Sequence, residues 1–137
     1  MTIFLPVGVF QKDEDGVYNG FSPNVNGAFS YGYSIEEAIA NLNEAVEGVM
    51  ETALNDGYEG VLSPGEYHGR DDEIVVPLKV APRLQVAATI HLVREQLGLS
   101  QEEFSRVTGL NRETVNRYER GRRIPAADTF LRIVQRA

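Results

Sequence analysis

The sequence predicts an α+β chain in two parts, an N-terminal β-β-β-α-β unit followed by an all-α unit. Two observations carry that expectation. Up to residue 82, apolar residues alternate or run in short stretches between turn-forming residues, around one long segment with apolar positions three and four apart; beyond it only the helical spacing recurs. The charge changes sign at the same place. Residues 1–82 hold three basic and fourteen acidic side chains, a formal −11, whereas residues 83–137 hold ten arginines and six acids, a formal +4, which together make the −7 of the 137-residue chain. Ala81-Pro82-Arg83 punctuates the junction, so the expected division is residues 1–80, a linker at 81–85, and residues 86–137.

Within the first part, residues 3–10 are almost wholly apolar and read as a strand. Asp13-Glu14-Asp15-Gly16 supplies turn chemistry before residues 17–21 resume an extended pattern, which makes a hairpin. Pro23, Asn24, Asn26 and Gly27 form a second turn ahead of a third strand at residues 28–31. Ser34 with Glu37 is a capping box opening a helix whose stripe of Ile35, Ala38, Ile39, Leu42, Ala45, Val46, Val49, Met50 and Ala53 suits one sheet face, and Gly57 ends it. Residues 73–80 read as a fourth strand, with Pro77 marking an edge or a bulge. Val7, Val9, Phe21 and Phe29 are the strand residues expected to face inward.

In the second part, Ser100 and Glu103 form another capping box, Gly109 can close that helix in the left-handed conformation, and Asn111 caps a further helix over residues 112–120. Phe104, Leu110, Val115 and Tyr118 fall on its apolar side; Arg112, Glu113, Asn116, Arg117 and Arg120 fall on the open side. Two short helices joined by a glycine turn, the second polar and arginine-bearing, suit entry into the major groove of DNA. The run LGLSQEEFSRVTGLNRETVNRYERG resembles the Cro/repressor-like (XRE) helix-turn-helix family, over residues 86–137, with Ser105 where alanine is usual. The resemblance implies that Arg112, Glu113, Asn116 and Arg117 read base edges, that Gln101, Arg120, Arg122 and Arg123 grip phosphates, and that Arg94 pairs with Glu119 as a structural ion pair. It also implies double-stranded operator DNA as a partner and a homodimer or homotetramer, since paired recognition helices must sit about 34 Å apart. A last helix from about Asp128, with Phe130, Ile133, Val134 and Ala137 on one side, suits either a dimer contact or packing within its own domain.

Gly16-Val17-Tyr18, the turn at residues 21–27, Tyr31-Gly32 and Ser34-Ile35-Glu36-Glu37-Ala38 resemble the N-terminal domain of HicB antitoxins, with Asn24 for aspartate, Asn26 for a second proline and Tyr33 for a later aspartate. That resemblance implies a degenerate ribonuclease H-like fold that binds and inhibits a small, basic HicA-type ribonuclease toxin, in a protein that represses its own operon. A domain of formal charge −11 is an electrostatic counterpart to an RNA-gripping protein. Exposed members of Asp13, Glu14, Asp15, Asn24, Asn26, Tyr31 and Tyr33 are the candidate toxin interface; the alternative for each is an acid that solvates a hairpin or a tyrosine that fills a core.

Catalysis is not expected. The acids cluster at a turn, on the outward side of a helix and in a loop rather than converging on a metal, His68 and His91 lack partners at ligand spacing, and Ser30, Ser34 and Ser63 have no identifiable base. The absence of cysteine excludes disulfides and thiolate metal sites, and no metal or cofactor is expected. No basic leader and no membrane-length apolar run is present, so a cytoplasmic location without membrane association is expected. The rival reading is a stand-alone transcriptional regulator whose first domain senses a ligand.

Overall fold

A computed structural model describes residues 3–136. The chain packs as two units, Leu5–Ala81 and a second that joins Phe4 to the chain from Pro82 onward. This departs at both ends from the expected division into residues 1–80, 81–85 and 86–137. The Phe4 amide donates to Thr89 Oγ1 at 3.0 Å and its carbonyl accepts from Gln85 Nε2 at 3.0 Å, so the apolar N-terminal run is shared between units. Pro82 opens a helix, and the expected linker is its first turn; a fixed φ and a missing N–H suit proline to that position.

The Leu5–Ala81 unit contains β1 (Val7–Lys12), β2 (Tyr18–Phe21), β3 (Phe29–Gly32), α1 (Ile35–Asp56) and β4 (Ile74–Pro77). Its four-stranded antiparallel sheet has the order β3-β2-β1-β4, which places Pro77 on an outer strand. At the β1–β2 turn, Asp13 Oδ1 accepts from the amides of Asp15 (2.9 Å) and Val17 (3.0 Å), and Gly16 takes a φ of 81°. The Val17 amide holds the Asp13 carboxyl below the ordinary aspartate range.

α1 lies on the sheet face that carries Phe10 and three glycines. A Cβ on Gly32 would stand 2.5 Å from the Ala38 nitrogen, and one on Gly20 would stand 2.5 Å from the Phe10 ring. Missing side chains therefore let the helix settle on the strands, with Ala38, Leu42, Val46 and Met50 buried beneath it. By the pleat, Val9, Phe21 and Phe29, which are in register across β1, β2 and β3, point to the opposite face. The expectation that Val7, Val9, Phe21 and Phe29 face inward therefore holds for Val9, which is 1% exposed, and fails for Phe29, which is 71% exposed on the face away from the helix. A reading by hydrophobicity places the largest residues inward, whereas close helix approach selected the smallest.

The second unit contains α2 (Pro82–Gln96), α3 (Gln101–Thr108), α4 (Arg112–Glu119) and α5 (Ala127–Val134). Ile90, Val93, Phe104, Val115, Tyr118 and Ile133 form its buried centre, with Leu110 and Phe130 packed against it. Phe130 and Ile133 of α5 therefore face their own domain; Ala137 lies outside the described residues.

Candidate nucleic-acid interface and partner face

α3 and α4 are set by their caps. Ser100 Oγ accepts from the Glu103 amide at 3.1 Å while Glu103 returns a carboxylate to the Ser100 amide at 3.0 Å, and that amide holds the Glu103 carboxyl below its ordinary range. Gly109 ends α3 at a φ of 74°, which a side chain would strain. Asn111 Oδ1 then accepts from the Thr114 amide at 2.7 Å and starts α4. With Val115 and Tyr118 buried, the other side of α4 presents Arg112, Glu113 and Arg117 in the open, with Asn116 half-buried beside them. Arg120, Arg122 and Arg123 are exposed at and beyond the end of α4.

The open face is not a set of independent side chains. Arg117 Nη2 donates to Glu113 Oε1 at 2.6 Å. Asn116 Nδ2 donates to Gln101 Oε1 at 3.3 Å, and Gln101 Nε2 reaches Glu119 Oε2 at 3.5 Å. Glu119, only 3% exposed, accepts from Arg94 Nε (2.8 Å, to Oε2) and Nη2 (3.0 Å, to Oε1) and pairs with His91 Nδ1 at 3.0 Å. Burial opposes the charged carboxylate, but the hydrogen bonds from His91 and Arg94 outweigh it and hold Glu119 below the ordinary glutamate range. His91 Nε2 meets Glu95 at 2.9 Å, and Arg94 Nη1 closes the end of α2 on the Leu99 carbonyl at 2.8 Å. One buried carboxylate thus orients α2, α4 and the start of α3, and Gln101 is aimed by it.

In the Leu5–Ala81 unit the structure separates the candidate partner residues. Glu14 and Asp15 stand exposed at the hairpin tip, next to the turn-forming Asp13. Asn24 is buried: its Oδ1 accepts from the Val7 amide at 2.9 Å, and its Nδ2 donates to the carbonyls of Ser63 and Gly65 at 2.9 and 3.0 Å. It ties the turn to β1 and to the long loop, so its expected exposure is corrected. Asn26 is exposed and donates to the Gly60 carbonyl at 3.2 Å. Tyr31 and Tyr33 are 60% and 73% exposed and pack edge to face. With Phe29 they make an aromatic row along β3 and the residue just beyond it, beside a hollow of about 300 Å³ lined by Val9, Phe21, Asn19, Asp13 and Glu73 among others. Among the described residues, no group of three or more His, Asp or Glu side chains is placed to hold a metal ion, and no helix is long and apolar enough to cross a membrane.

Residues 5–67 match the family profile described as "HicB_like antitoxin of bacterial toxin-antitoxin system", and residues 90–136 match the profile described as "Helix-turn-helix". The chain carries a HicB-like antitoxin domain over residues 5–67 and a C-terminal helix-turn-helix domain over residues 90–136. It is also similar to a UPF0150 protein of Synechocystis sp., at 32% identity over 72 residues, 53% of this chain and 81% of the relative.

Two participants, His91 and Phe29, are marked in the sequence only by their spacing. His91 has no partner at metal-ligand spacing, but it lies three residues before Arg94 and four before Glu95, on one side of a helix, and that spacing is the signal for its place in the network. Phe29 stands outside the core, and its signal is the period of two that it shares with Tyr31 and Tyr33 and that marks one sheet face.

Proposed function

We propose that this antitoxin neutralises a small, basic HicA-type ribonuclease through its Leu5–Ala81 unit and represses its own operon through α4. The observation that carries the reading is the opposition of charge between the units, −11 against +4, with a capped, arginine-bearing helix on the positive one. A cationic nuclease is attracted to the first unit, and RNA and DNA are repelled by it. The aromatic row of β3 offers rigid apolar area, and the acids at the hairpin tip and around the neighbouring hollow offer counter-charge; large aromatic side chains anchor interfaces of this kind. Phe29, Tyr31 and Tyr33, with Glu14 and Asp15, are therefore the proposed toxin contacts.

On the other unit, Arg112, Glu113, Asn116 and Arg117 are the proposed base readers, and Arg120, Arg122 and Arg123 the phosphate contacts. Gln101 is placed with them as a contact whose amide is oriented from inside by Glu119. A single such module reads few base pairs, so tight repression requires a homodimer or homotetramer on a near-palindromic operator. The alternative is a stand-alone regulator whose first domain senses a ligand; a hollow of about 450 Å³ lies beside α1 at Ala45, Val49, Ala53 and Val61 and opens to solvent.

The test is purification of the full chain with the product of its neighbouring reading frame, followed by RNA cleavage and operator binding. Formation of a complex that silences the nuclease and retains its promoter is the expected result. A full chain that binds neither the neighbour nor its promoter overturns the proposal.

A further inference from the structure

This inference rests on the operator-binding reading above. We propose that Glu113 and Arg117 act as one reader, selecting a cytosine next to a guanine in each operator half-site. The two lie one turn apart on the open side of α4, with side chains 72% and 50% exposed, joined by the 2.6 Å bond from Arg117 Nη2 to Glu113 Oε1. A carboxylate on a helix that approaches DNA is repelled by the phosphates unless its charge is balanced and its oxygens meet donors. Arg117 supplies the balance. The only donors in the major groove are the amino groups of cytosine and adenine, and adenine sets its N7 acceptor beside the amino group, where it opposes a second carboxylate oxygen. Cytosine presents the amino group without that acceptor, so Glu113 Oε2 selects cytosine. The guanidinium has five N–H donors; with one held by Glu113, a fork remains for O6 and N7 of guanine. The bond seen in the free protein therefore survives in the complex and holds both side chains in reading position.

The molecule contains its own control. Glu102 and Arg106 form a pair of the same spacing at 3.1 Å on α3, away from the recognition helix. A pair that only supports its helix would behave alike in both places.

The experiment is selection of duplex DNA from a random pool by the full chain, with Glu113→Gln, Arg117→Lys and Glu102→Gln run in parallel. The parent should enrich a site with cytosine beside guanine. Glu113→Gln should move the cytosine preference towards adenine, which glutamine pairs with at N6 and N7, retain the guanine, and bind the parental site roughly ten- to a hundred-fold more weakly. Arg117→Lys should relax the guanine, and Glu102→Gln should change no base preference. An enriched parental site without that cytosine and guanine, or a Glu113→Gln variant with unchanged base preference, overturns the inference while leaving operator binding intact. Failure of the parent to enrich any duplex overturns the operator-binding reading, and this inference with it.

Discussion

The two units use acidic side chains in opposite ways. In the Leu5–Ala81 unit none of the fourteen acids is buried, and they act outward as a field. In the helical unit one acid, Glu119, is sealed in and surrounded by His91, Arg94 and Gln101. An exposed charge is screened within about 8–10 Å in physiological salt, so it guides encounter and contributes little to folding. A buried one is ruinous without its partners and so imposes a geometry. The comparison predicts that a change at the buried Glu119 will be severe and that changes at the exposed acids which hold no turn or cap will be mild.

The largest effect is expected at Glu119. Glu119→Ala leaves Arg94 and His91 facing an empty carboxylate site and should cost about 3–5 kcal/mol, read as early loss of the helical transition in urea unfolding. Its pH dependence has a definite sign. Because the folded carboxyl titrates below its ordinary value of 4.5, its contribution is present above that pH and is lost as the pH falls through the lowered folded value. Glu119→Gln should therefore flatten the acid limb of the stability curve, and an unchanged limb would show that the pair does not control it.

Glycines sharpen the contrast within the sheet unit, where thinness rather than charge holds the helix. Gly32→Ala drives a Cβ to 2.5 Å from the backbone of α1 and should cost about 1–3 kcal/mol or more. Gly48, inside α1 with nothing within 4 Å of an added Cβ, should respond in the opposite direction: Gly48→Ala stabilises by roughly 0.5–1 kcal/mol. Thermal unfolding of both variants checks the sign as well as the size.

These two sites show what a sequence displays and what it hides. The capping box at Ser100, the serine cap at Ser34, the left-handed Gly109 and the long stripe of α1 were legible because they are local, each decided within a turn or two of chain; at Ser34 the box itself is not completed, because Glu37 accepts from the Tyr33 amide instead of the Ser34 amide. The face of the sheet that meets α1 was not. It depends on strand register, and a slip of one residue exchanges the faces: Gly8, Gly20 and Gly32 occupy the helix side, while Val9, Phe21 and Phe29 lie on the other, where Val9 is still buried and Phe29 is exposed. The burial of Asn24 was hidden for the same kind of reason, since its partners Ser63 and Gly65 are about forty residues away. For the candidate site, spacing alone identified the open side of α4, whereas the chain from His91 through Glu119 and Gln101 to Asn116 joins three helices and has no signature in any one of them.

Next in size are the proposed DNA contacts, where position decides the kind of effect. Arg112→Ala should cost about 1–3 kcal/mol on the preferred operator and relax the sequence preference. Arg122→Ala should weaken all duplexes alike and lower the slope of log affinity against log salt by about 1. Titrations at several salt concentrations on operator and scrambled duplexes separate the two, and equal, sequence-blind losses would erase the division between readers and grips.

The smallest effect on folding, and the sharpest use of the comparison, is expected at the hairpin tip. Glu14→Gln with Asp15→Asn removes two exposed charges that accept no hydrogen bond from the turn, so stability should move by no more than about 0.5 kcal/mol. Asp13→Asn differs, because the Asp13 carboxylate accepts from Asp15, Val17 and Asn19, and the amide that replaces it keeps only one of two acceptor oxygens. If the field of the sheet unit draws in a cationic nuclease, the double tip variant should associate with it more slowly at low salt, with a dissociation rate close to that of the parent. That deficit should shrink as ionic strength rises. A deficit that persists at high salt would mean that the tip touches the nuclease directly, and no deficit at all would transfer recognition to the aromatic row of β3.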